Sequence, residues 1–377
     1  MSPCTELGLV PARECGNALR PRLLRCLLMA ACVLVLSACA DARYYLQSVS
    51  GHLQMLQAAR PVDQWLGDDA TEPLLKQRLA LAQRIRRFAV SELKLPDNAS
   101  YQRYADLQRR AVVWNVVAAP AWSLTLKTWC FPVTGCVGYR GYFDEAEARG
   151  QALQLQNEGW EVSVYGVPAY STLGWMNWAG GDPLLNTFIR YPEGELARMI
   201  FHELAHQVLY VQNDTVFNES FATAVERLGG ERWLAAHGSG AARQEYTALE
   251  TRRHEFRALS QAMRTRLADI YKEKEALALD GQALIAIKNR AFEEFRRDYQ
   301  NLKNRWGGYS GYDAWVAGAN NAAFGAQAAY AEQVPAFEAL FERSGRDWLR
   351  FYDAVRQLAQ LPAQARTLAL KKLITEH

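Results

Sequence analysis

The stretch that most constrains this chain is residues 195–229, where His202-Glu203-Leu204-Ala205-His206 is followed by Asn218-Glu219, twelve residues lying between His206 and Glu219. An α-helix turns through about 100° per residue, so His202 and His206 return to one face and can aim two imidazoles at one cation. Glu203, one step round, lies beside that cation, where its carboxylate can take a proton from an activated water. Leu196, Ile200, Leu204, Val208 and Leu209 recur at helical spacing, and Glu193 and Glu195 place negative charge at the N-terminal end. The pattern predicts a helix buried on one side. With only six His in 377 residues, an HExxH is rare as an accident.

A catalytic zinc needs a third protein ligand and one open position. Asn213-Asp214 breaks the first helix, and Phe217, Phe221, Val225 and Leu228 mark a second that is expected to stop at Gly229-Gly230. A helix doubling back across this turn would carry Glu219 toward the His pair. Asp214 and Glu226 are its rivals. Asp214 stands close to His206 in a tight turn, and Glu226, two turns beyond Glu219, suits a carboxylate that accepts a ligand N–H, with Asn218 a further supporting candidate.

HELAHQ followed by NESFATAVE resembles the gluzincin metallopeptidases, whose third ligand is a Glu on the helix after HExxH. The resemblance implies one Zn2+ per chain on His202, His206 and Glu219, with Glu203 as general base.

Residues 19–39 set Arg20, Arg22 and Arg25 before an apolar run from Cys26 to Leu36, the pattern of a secretory signal too short to span a bilayer and remain. The run ends in Leu36-Ser37-Ala38-Cys39, which resembles a bacterial lipobox and implies that residues 1–38 are a leader and that Cys39 is acylated. By the same resemblance, Ala40 stands where an Asp would retain the lipoprotein at the inner membrane. The expected location is therefore the periplasm, on an outer-membrane anchor. A formal charge of +3 gives no global field for nucleic acid.

Five of the seven Cys lie in or at the edge of this leader, leaving Cys130 and Cys136 in the folded part. In an oxidising compartment, with Pro132 and Gly135 between them to turn the chain, they are expected to form a disulfide.

Apolar spacing from Tyr44 to Arg110 reads as helical, broken at Gly67-Asp68-Asp69. Residues 111–175 read as a short mixed sheet, with Ala169 to Thr172 expected as an edge strand beside the zinc helix. Tyr170, Ser171 and Thr172 are thus candidates to hold extended peptide. Trp175 and Trp178 either wall that cleft or pack. Residues 241–304 read as a long α-hairpin, Leu259, Met263, Leu267 and Ile270 facing Leu284, Ile287, Phe292 and Phe295. Residues 312–377 form C-terminal helices, in which Asn320, Asn321 and Tyr330 are cleft candidates, a Tyr hydroxyl being a donor to a developing oxyanion.

Together, the lipobox, CFPVTGCVGYRGYF, AYSTLGW, HELAHQ, NESFATAVE and the Asn320-Asn321 segment resemble a family of predicted zinc aminopeptidases among proteobacterial lipoproteins. The expected fold is α+β, predominantly α, with a zincin-like core in one domain from 39 to 377. The expected activity is zinc-dependent aminopeptidase hydrolysis of peptide or protein substrates. A zinc endopeptidase acting on envelope proteins or peptidoglycan peptides, or a non-catalytic zinc-containing envelope binding protein, are the alternatives.

Overall fold

The computed structural model describes residues 42–132, 134–277, 281–328 and 333–375. One unit spans Met1–Ser50, of which residues 42–50 are helical; a second, Gly51–His377, contains everything described below. Cys39 and Tyr330 lie outside the described residues.

Within the second unit the chain opens with α1 (residues 51–58), β1 (Arg60–Pro61), α2 (Val62–Gly67) and α3 (Pro73–Ser91). Pro73 starts α3 with its φ already helical, and Leu79, Ala82, Ile85 and Ala89 bury one stripe. The expected helical pattern stops there. Helix α3 ends at Ser91, Lys94 already takes left-handed backbone, and after Pro96 the chain forms β2 (Arg103–Ala105).

The central strand β3 (Val113–Pro120) is followed by the hairpin β4 (Trp129–Phe131) and β5 (Gly135–Val137), then β6 (Arg140–Tyr142), α4 (Glu145–Asn157) and β7 (Trp160–Val167). Strand β3 pairs antiparallel with β6 and β7, Asn115 facing Tyr165 in register. A second three-stranded sheet joins β1, β2 and β8 (Leu184–Leu185), with β2 and β8 parallel. Residues 169–172 are not a strand, contrary to the sequence expectation: β7 ends at Val167, and the Thr172 N–H donates to the Asp182 carboxylate at 3.1 Å rather than to a sheet partner.

The remaining elements are helices: α5 (Glu193–Ala205), α6 (Thr215–His237), α7 (Gly240–Leu277), α8 (Gly281–Arg305), α9 (Asp313–Ala317), α10 (Asn321–Ala328), α11 (Val334–Arg343), α12 (Trp348–Ala359) and α13 (Ala363–Thr375). The architecture is α+β, predominantly α. Leu196, Ala197, Ile200, Phe201, Leu204 and Ala205 are all fully buried, so α5 is the central helix of the main core. Helix α6 does not stop at Gly229-Gly230 but continues to His237. A Cβ on Gly229 would sit 2.9 Å from the Phe201 ring, so this glycine admits the close α5–α6 crossing instead of ending the helix.

Helices α7 and α8 form the expected hairpin around a second core of Met263, Leu267, Ile270, Leu284, Phe292 and Phe295. Ile287 departs from it at 39% exposed. The buried register runs through Leu284, Lys288, Ala291, Phe295, Tyr299 and Leu302, and it is Lys288 that turns inward, its ammonium donating to the Ala121 carbonyl at 2.7 Å and pairing with Glu161. No helix among the described residues is long and apolar enough to cross a membrane.

Candidate metal centre

Helix α5 delivers His202 on its last turn and His206 at its C-cap, where the His206 N–H still bonds the His202 carbonyl at 3.3 Å. The helix ends there because Gln207 and Val208 take tighter turn bonds to Leu204 and Ala205. Asp214 caps α6 by accepting from the Phe217 N–H at 3.1 Å and is itself held by Arg366 at 2.6 Å. Asp214 is thereby engaged away from the histidines. Asn218, fully buried, accepts from the Val211 N–H and donates to the Val211 carbonyl, both at 2.8 Å, and so pins the connecting loop to the first turn of α6.

The crossing brings three side chains to one point. His202 Nε2 and His206 Nε2 lie 3.2 Å apart, and Glu219 Oε2 is 3.3 Å from the first and 3.7 Å from the second. A tetrahedral ion bound at 2.0–2.1 Å would hold neighbouring ligand atoms about 3.4 Å apart, so this triangle fits one face of a zinc tetrahedron. Two imidazole nitrogens and a carboxylate, buried together, repel or leave lone pairs unmatched unless a cation or proton lies among them. His206 Nδ1 is buried without a hydrogen-bond partner among the described residues, so nothing there competes for the ring's other nitrogen. The donor set fits a divalent cation of zinc type.

Charge supports that set from behind. Glu226 Oε2 lies 2.9 Å from His202 Nδ1, and its other oxygen pairs with Arg198, which also pairs with Glu250. Arg253 joins Glu250 and reaches Glu195 at 2.6 Å. Arg198 is 4% exposed and shielded from water, while Glu250, Arg253 and Glu195 extend the ionic chain toward the surface. Burial opposes ionisation of Glu226, but Arg198 and His202 overcome it and hold the carboxyl well below the usual range. Burial lowers His206 to about 4 and keeps it neutral, as a metal ligand must be. Burial likewise opposes charge on His202, but the Glu219 and Glu226 carboxylates raise it.

Glu203 makes no hydrogen bond to any described residue and is partly exposed. Burial of its carboxyl, against the pull of His202 and with the help of Glu219, raises its pKa to about 7. A carboxylate poised there can accept and return a proton near neutral pH. Tyr139, Tyr165 and Tyr210 feel the Glu219 charge, and burial keeps all three hydroxyls protonated, Tyr165 and Tyr210 being pushed up to about 12.

Other sequence candidates fall elsewhere. Asn321 is fully buried: its Nδ2 donates to the Pro120 and Ala121 carbonyls at 2.9 and 3.0 Å, and its Oδ1 accepts from Tyr271 at 2.6 Å. Asn320 donates to the Val162 carbonyl at 2.8 Å and caps Ala323 at 3.0 Å. Both pin α10 to the sheet, and their polar atoms are consumed there, which removes them from the cleft reading. Ser171 and Thr172 hang on Asp182, while the Tyr170 ring packs on Phe143 at 5.4 Å between centroids.

Cys130 and Cys136 face each other across β4–β5 and are joined by a disulfide. This hairpin supports the loop between the two ligand helices. The Cys136 N–H donates to Asn213 Oδ1 at 2.7 Å, and a Cβ on Gly135 (φ 72°) would lie 2.5 Å from that oxygen. The sequence reading missed Arg198, whose signal was its spacing: Arg198, His202 and His206 step by four along one helix face. Asp182 and Gln207, linked at 3.4 Å beside the end of α5, were also missed and carry no local signature.

A family model, Aminopep, described as putative aminopeptidase, matches residues 43–370. No curated protein and no solved structure matches the chain.

Proposed function

We propose that this chain, which belongs to the Aminopep family, is a zinc-dependent aminopeptidase that hydrolyses peptide bonds at His202, His206 and Glu219. The observation that carries the reading is the buried triangle of Nε2, Nε2 and Oε2, with edges of 3.2 to 3.7 Å, beside a free carboxylate. When bound, the cation supplies Lewis acidity, polarising a carbonyl and acidifying water. The chain's own groups do the rest. Glu226 accepts from His202 Nδ1–H and so turns the Nε2 lone pair toward the centre. Glu203 takes a proton from water and returns it to the leaving amine. A structural ion has no need of such a carboxylate.

The chain is further proposed to be a periplasmic lipoprotein anchored through Cys39 to the outer membrane. The apolar run 26–36 and the small residues before Cys39 support this, and the Cys130–Cys136 bridge suits an oxidising compartment.

Metal analysis of the purified protein, combined with a panel of free and N-blocked peptides, tests the activity. Zinc at one per chain and cleavage restricted to free amino termini are expected. Cleavage of blocked peptides would make it an endopeptidase. Failure of the zinc-loaded protein to cleave any member would overturn the enzyme reading in favour of an envelope binding protein.

A further inference from the structure

Between Tyr170 and Asp182 the chain forms a tight knot of turns that holds two indoles in water. Trp175 is 67% exposed and Trp178 82%. The knot is rigid by construction. The Trp175, Asn177, Ala179 and Gly181 N–H groups bond back to Thr172, Gly174, Met176 and Met176, and Leu173, Gly174, Gly180 and Gly181 take left-handed backbone. Beneath it, Asp182 accepts from Thr172, Ser100 donates to Asn177 Oδ1 at 3.2 Å, and Gln207 donates to Ser100 at 3.1 Å. These bonds fix the backbone that carries the two exposed rings, and exposed apolar rings of this size mark an interaction site.

The same knot is tied to α1. Arg103 donates to the Leu56 and Ala59 carbonyls at the end of α1 and to Ala179 in the knot at 3.4 Å, and the His52 ring lies 5.7 Å from that of Tyr170. Leu53, on α1, is also exposed. Only eleven residues lie between Cys39 and Gly51. Even fully extended, that length reaches no more than about 40 Å. A lipid on Cys39 would therefore hold α1, and the knot fixed to it, within a short reach of the bilayer.

We infer that Trp175 and Trp178 form a second membrane contact, docking the enzyme face carrying the knot onto the phospholipid surface to which its amino terminus is tethered. Indole suits this role because its ring is apolar and its N–H can remain hydrated among headgroups. A peptide-binding wall would be partly covered by its opposite wall, and rings this exposed have none. The inference rests on the anchored reading above.

Full-length protein reconstituted in phosphatidylethanolamine–phosphatidylglycerol vesicles containing brominated lipid tests it, wild type against the double variant Trp175→Ser/Trp178→Ser. Both should float with the vesicles, and bromine should quench wild-type emission by an amount corresponding to two of the eleven indoles, a component absent from the variant. Equal quenching in two floating proteins overturns the docking surface and leaves the anchor standing. If the wild type does not float, the anchor fails and the docking surface fails with it. Unchanged quenching with lost cleavage of soluble peptides would assign the indoles to substrate instead. Because both rings are exposed, the variant should fold, and an unaltered circular dichroism spectrum checks this.

Discussion

Glu226 and Glu219 sit two turns apart on one helix and meet opposite nitrogens of the same ring: Glu226 Oε2 is 2.9 Å from His202 Nδ1, and Glu219 Oε2 is 3.3 Å from His202 Nε2. One carboxylate faces the cation position and the other orients the imidazole. Removing Glu219 should therefore abolish stoichiometric zinc binding, whereas Glu226→Gln should weaken it by about 10- to 100-fold. Competition with a chelator of known zinc affinity measures both. Equal losses, or loss only with Glu226→Gln, would require reassignment of the ligand.

Glu203→Gln keeps the size of the side chain but not its basicity. Zinc content should stay at wild-type level while hydrolysis falls by about two to four orders of magnitude, the usual cost of losing a general base. His202→Ala and His206→Ala should lose metal and activity together. Parallel metal analysis and initial rates decide, and a Glu203→Gln protein with normal turnover would exclude the base role.

Asp182 gives a pH dependence of stability. Burial raises its folded pKa from 3.8 to about 6 against the hydrogen bonds from Thr172 and Ser171. A raised folded pKa means that the folded chain holds the proton more tightly than the unfolded one, so the stabilisation is complete below about pH 4 and is lost as pH rises to about 6. Relative to Asp182→Asn, the wild type should lose on the order of 3 kcal/mol across that window. Denaturant melts at pH 4, 5, 6 and 7 measure the difference, and a flat difference would show that the carboxyl is not desolvated.

The Cys130–Cys136 bridge closes a short loop, so Cys130→Ser/Cys136→Ser should cost about 2 kcal/mol. Thiol titration of the denatured, unreduced protein should find neither cysteine free. Because the hairpin holds Asn213 in the loop before Glu219, the variant should also release zinc faster; an unchanged release rate would show that the hairpin does not brace the centre.

Sequence alone determined whatever depends on the period of one element. His202, Glu203 and His206 lie within a single turn of helix, so their relative directions follow from about 100° per residue and from nothing distant. The α-hairpin and the predominance of helix were legible for the same reason, and Ile287 was misplaced because one step of register turns a side chain from core to solvent. What the tertiary structure decided is everything set by a crossing. Glu219 and Glu226 share one face of α6, and only the close approach at Gly229 determines which carboxylate reaches Nε2 and which reaches Nδ1. Asn321 was read as a cleft residue because a paired Asn carries no local sign of its partners, which lie two hundred residues away at Pro120 and Ala121. Thr172 was read as part of an edge strand because it follows Pro168 at the end of the alternating residues of β7, whereas a buried Asp182, invisible to local pattern, takes its N–H. Helical period is a property of neighbours in the chain, whereas hydrogen-bond satisfaction is a property of neighbours in space.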